Sequence, residues 1–177
     1  MKKVSILFFV LFIFLSCSTE EANLNEELIN DEVILKSNAN NIESEMKKID
    51  FSNVTNWDEN ESKTKLMPVI NETIKLLNSE GISNQEIIDE FGSLDNPEIL
   101  YLSMGIVEYE GSSSIQKADT VDCLLRATGL DAFHQGFWNS FSNRRALLRA
   151  VGRVATRTLG WIGAALIVAD FAHCMWG

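Results

Sequence analysis

Few side chains in this 177-residue sequence have the type and spacing to do chemistry. Cys123, Cys174, His134 and His173 make up a nominal Cys2His2 set. Zinc would need their four donors to converge on a tetrahedron. His173 and Cys174 are neighbours in sequence, so on a helix they leave on different faces, and the spacings match no zinc finger. A cysteine nucleophile with His134 as its base is the other arrangement these residues allow. Against it, exported cysteines with an available partner are normally bridged. There is no G-x-S-x-G, no H-E-x-x-H, no phosphate-binding loop and no dinucleotide fingerprint. Acid pairs such as Asp89-Glu90 fit a solvated helix surface. The expectation is therefore no catalytic residue, no metal and no cofactor.

The third cysteine has a different setting. Met1-Lys2-Lys3 is a short basic start, and Val4 to Leu15 is apolar except for Ser5. That run is too short for a stable span and has the length of a signal-peptide core. It ends in Phe14-Leu15-Ser16-Cys17. This resembles the lipobox of bacterial lipoproteins: a bulky apolar residue, Leu, a small residue, then the cysteine that receives lipid. The resemblance covers residues 1–17 only, and Phe14 stands where an aliphatic side chain is usual. It implies a signal peptide over 1–16, cleavage before Cys17, and lipid on Cys17. At about 0.8 kcal/mol per buried methylene, two or three acyl chains hold a chain stably on a membrane. Ser18-Thr19-Glu20-Glu21 then reads either as a surface-export tag or as a solvated acidic tether over 17–23. The expected place is outside the cytoplasm, on the outer membrane and exposed at the cell surface.

With Cys17 taken by lipid, Cys123 and Cys174 remain. Both would lie where disulfides persist, so they are expected to pair. In the chain-entropy view, closing the loop from 123 to 174 stabilises by about 4 kcal/mol. That is a large term for a segment of this size.

Charge divides the chain sharply. All six arginines (126, 144, 145, 149, 153, 157) follow residue 120, where the only acids are Asp122, Asp131 and Asp170. The earlier part is strongly acidic, and the whole chain has a formal net charge of −10. Such asymmetry predicts two parts in different surroundings, or two halves that attract each other. Gly111-Ser112-Ser113-Ser114 is turn-prone. The expected organisation is an acidic helical region over 24–110, a Ser/Gly-rich linker over 111–118 and a basic Gly/Ala-rich domain over 119–177.

The elements read as all-α. Leu28, Leu35, Ile42 and Ile49 recur every seven residues and predict a helix over 22–50, with a break at Asn38 to Asn41. Residues 52–63 read as loop. Pro68 to Ser79 should be helical, with Gly81 as its stop. Ser83-Asn84-Gln85-Glu86 is a capping box opening a helix that ends at Phe91-Gly92. Asn96-Pro97 should start a helix running to about Tyr109. Further helices are expected from Asp119 or Thr120 to Gly129, as a short turn over Asp131 to Trp138, over 139–158, and over 161–174. Leu159 to Ala169 is apolar but far short of a membrane span, so the last helix should be a buried body. The whole predicts a small helical bundle with a C-terminal helical hairpin closed by Cys123 and Cys174.

Arg145, Arg149, Arg153 and Arg157 are four apart and form one basic stripe. It suits salt bridges to the acidic part, or contact with anionic lipid. Nucleic acid is excluded by the acidic balance and by export. Two functions fit. One is a membrane-anchored, non-enzymatic interaction module with a protein or lipid partner. The alternative is a precursor whose residues 119–177 are released as a membrane-active peptide. That segment is compositionally similar to small helical bacteriocins, being short, cationic and disulfide-closed, with Trp138, Trp161 and Trp176.

Overall fold

The computed structural model describes residues 39–112, 123–129, 143–154 and 160–177. Every regular element among them is helical, and the protein is all-α. Helix α1 covers 39–47 and buries Ala39, Ile42 and Met46; it runs through Asn40 and Asn41, where a break is expected, and ends before Ile49, the other described member of the seven-residue repeat. Leu24, Leu28 and Leu35 lie outside the described residues.

Residues 52–63 are only partly loop. A 3-10 turn at Val54–Asn56 is followed by α2, Glu59–Ser79. The Asp58 carboxylate accepts the amide of Glu61 at 2.7 Å and caps it. Pro68 therefore lies inside the helix and not at its start. A proline there removes one hydrogen bond and crowds the preceding turn. The buried face outweighs this: Ser62, Leu66, Val69, Ile70, Thr73, Leu76 and Leu77 run at helical spacing straight past Pro68, which itself faces solvent.

Helix α3, Asn84–Phe91, opens with the expected capping box, the Ser83 and Glu86 side chains each serving the other's backbone. It closes at Gly92, whose φ of 82° is the left-handed conformation that glycine adopts without penalty. Helix α4, Ile99–Ser112, starts just after Asn96-Pro97, with the Asn96 side chain accepting the amide of Glu98 at 2.8 Å. It runs past Tyr109 through Gly111 and Ser112, so the first two residues of the expected linker are helical. Everything from Ile99 to Glu108 on α4 is buried, which makes it the central rod of the bundle.

The basic segment supplies α5 (Cys123–Thr128), α6 (Arg144–Val154) and α7 (Trp161–Trp176). Helix α7 packs on α5, α2 and α4, while α6 packs on α3 and α4. Ala164, Ala165, Val168, Phe171 and Ala172 form the buried stripe of α7, the small residues letting it approach closely. The charge boundary is thus not a packing boundary: Lys36–Gly177 is one compact unit. Apolar faces on both sides of the boundary leave no alternative to mutual burial. No helix among the described residues is long and apolar enough to cross a membrane.

Two hydroxyls tie α2 to α4. Thr73 Oγ1 and Ser103 Oγ are 2.7 Å apart, fully buried, each also within reach of the carbonyl four residues back. Ser62 has no such partner; its Oγ is buried and makes no hydrogen bond. A buried hydroxyl without a partner costs about 1–3 kcal/mol. Ser62→Ala is expected to raise the unfolding free energy by about 1 kcal/mol, seen as a higher urea midpoint at unchanged slope.

Candidate functional site

The residues with chemistry lie within the basic segment and at separate contacts between it and the acidic one. Cys123 and Cys174 are bonded, with Cα atoms 5.6 Å apart and a sequence separation of 51. The bridge fastens the first residue of α5 to the last full turn of α7. Cys123 is buried and Cys174 half-buried. His173 is exposed beside it, and His134 lies outside the described residues. Among the described residues no cluster of His, Cys, Asp and Glu could hold a metal ion. Cys17, too, lies outside the described residues.

Three glutamates of the acidic segment each hold the first turn of one basic helix. Glu108, on α4, is 4 % exposed; its carboxylate accepts the amides of Cys123 and Leu124, both at 2.9 Å. Glu59, at the start of α2, accepts the amide of Trp161 at 2.8 Å. Glu86, on α3, takes the Nε–H of Arg145 at 2.7 Å, while the Arg145 Nη2–H goes to the carbonyl of Gly81 at 2.9 Å. A carboxylate at a helix N-terminus meets free amides and the positive end of the macrodipole together. Gly160 has a specific part here: a Cβ at that position would collide with the Glu59 carboxylate.

Among the described residues of the basic stripe, one arginine is engaged with the acidic segment. Arg145 belongs to Glu86. Arg149 is exposed and donates its Nε–H to the carbonyl of Arg145 at 3.1 Å. Arg153 is on α6, and Arg157 lies outside the described residues. The tryptophans are engaged as well. Lys63 lies over Trp161 at 5.6 Å and Lys47 over Trp176 at 5.0 Å, a cation–π pairing at each end of α7. Trp138 lies outside the described residues.

Sequence reasoning finds Glu86 through its capping box and misses Glu59 and Glu108. A signal for Glu108 does exist. It follows Leu100 to Val107, a run too apolar to have a wet side, so an acid at its end must meet a donor. Nothing local marks Glu59, whose partner is 102 residues away.

Arg145 holds the Glu86 carboxyl well below its ordinary 4.5, at about 2, helped by the amide and hydroxyl of Ser83. The folded value is the depressed one. Stability from this group is therefore fully present above about 4.5 and is lost as pH falls through 2. Arg145→Gln should bring the Glu86 titration, followed by carboxyl NMR shifts, back toward 4.5 and flatten that part of the acid-stability profile.

Compared with known proteins, the chain matches no family model, no curated protein and no solved structure.

Proposed function

We propose that the protein is an exported bacterial lipoprotein, anchored to the outer membrane through lipid on Cys17, whose helical unit is a non-enzymatic module for a protein partner. The observation that carries the reading is the cysteine count. Cys123 and Cys174 are paired with each other, which leaves Cys17, at the end of the apolar leader, as the one cysteine outside the bridge. A structural disulfide suits an oxidising compartment, and a lipobox cysteine suits the anchor. The packing of α5, α6 and α7 onto acidic helices supports a module that stays whole.

The test is intact mass, without reduction, of the protein recovered from membranes and from culture medium. The expected result is one acylated species starting at Cys17 and ending at Gly177, two hydrogens lighter than its dithiol form. Cys17→Ala should remove the added lipid mass. A mature chain with an unmodified Cys17 thiol, or one beginning elsewhere, would overturn the anchor. A medium fragment beginning within 113–122, with its bridge intact, would instead select the released membrane-active peptide.

A further inference from the structure

Cys123 is held twice, through its sulfur and through its amide. Its sulfur is bonded to Cys174 on α7, and its own amide donates to the buried carboxylate of Glu108 on α4. The second carboxylate oxygen takes the amide of Leu124. Helix α5 is only six residues long and so cannot persist on local hydrogen bonding. Its position depends on these fastenings together with the burial of Cys123 and Leu124. We propose that Glu108 and the Cys123–Cys174 bridge are one redox-coupled latch on α5: the bridge keeps the two amides on Glu108, and Glu108 keeps the two sulfurs in bonding position.

The coupling is reciprocal by linkage. If Glu108 binds the α5 amides only while α5 is docked, it favours the bridged state by the same factor by which the bridge favours the amide contacts. The opening reaction needs a thiol reductant, either one dithiol or two monothiols such as glutathione. That reductant supplies two electrons and two protons, the S–S bond breaks, Cys123 and Cys174 become thiols, and the reductant's sulfurs join as its own disulfide. Once the bridge is gone, α5 is held by Glu108 and by its packing on α7 and α4 without a covalent tie, and it undocks more often. Glu108 is thus a positioning residue for the bridge, acting through the main chain of α5.

The experiment equilibrates the full chain in glutathione buffers of graded ratio, traps thiols by alkylation, and locates them by peptide mass so that Cys17 is read separately. Glu108→Gln keeps the shape of the side chain but loses its charge and one acceptor. It should make the bridge at least about tenfold easier to reduce, since hydrogen bonds to a charged group are the stronger kind. Glu86→Gln, at the exposed pair with Arg145, should leave the equilibrium within about twofold. Amide exchange on the wild-type chain gives the second readout, which does not depend on the variant folding. Reduction should lower protection of the Cys123 and Leu124 amides at least about tenfold more than that of the Leu76 and Leu77 amides of α2, which open only with the whole unit. An unchanged glutathione equilibrium in a folded Glu108→Gln chain, or full protection of the two amides after reduction, would overturn the latch.

Discussion

Replacing Cys123 and Cys174 together by serine should lower the unfolding free energy of the described unit by about 4 kcal/mol. The bridge closes a long loop, and its main effect is to deny the unfolded chain the conformations in which residues 123 and 174 are far apart. At roughly 2–4 °C per kcal/mol, that loss should appear as a drop in Tm on the order of 10 °C. Urea unfolding of the oxidised wild type and of the double variant, measured in parallel, gives the number directly. The denaturant slope should rise, because the unbridged chain exposes more surface when it unfolds. A loss under 1 kcal/mol would mean that the reduced chain keeps the loop closed by other contacts.

Phe171→Ala should cost about 3–5 kcal/mol. Phe171 is fully buried on α7, with its ring edge-on to Trp176 at 6.2 Å between centroids. Removing it leaves a cavity between α7 and the helices it packs on, and a close-packed interior collapses only partly around such a gap. The more telling part of the result is where the loss is felt. Helix α7 packs on α2 and α4, so the whole unit should melt together at the lower temperature. Circular dichroism and amide exchange on α3 should report the same midpoint. If α3 kept its wild-type protection while α7 opened, the acidic helices would be holding themselves up without the last one.

Much of this architecture is legible in the residues because its signals are local. The Ser83/Glu86 capping box, Gly92 as a left-handed C-cap and the Asn96 start each act within four residues, and each is found where it was expected. The bridge is legible for a different reason: with Cys17 expected to take lipid, only one pairing of the three cysteines is left. What could not be read is what depends on distant partners. Pro68 looks like a helix start because proline suits a first turn; only the packing of Ser62 and Leu66 reveals that the helix began earlier. Glu59 and Glu108 look like surface acids because their donors lie on helices far along the chain. The charge asymmetry was visible as a boundary between segments. In space the segments pack on each other through apolar faces, and opposite charges meet across the seam, with Glu86 on Arg145 as the direct instance.

The three glutamates also fix an order of events for a chain that emerges N-terminus first. Helices α2, α3 and α4 are complete before Trp161 appears, and Glu59, Glu86 and Glu108 then stand as a preset template for the helices still to come. A chain cut short before residue 161 would leave uncovered the apolar faces of α2 and α4 that α7 closes. Such an intermediate is a natural client for holding chaperones, and a natural seed for aggregation if none is at hand. The last seventeen residues, apolar and easily mistaken for a membrane segment, are therefore the lid that closes a half-built bundle.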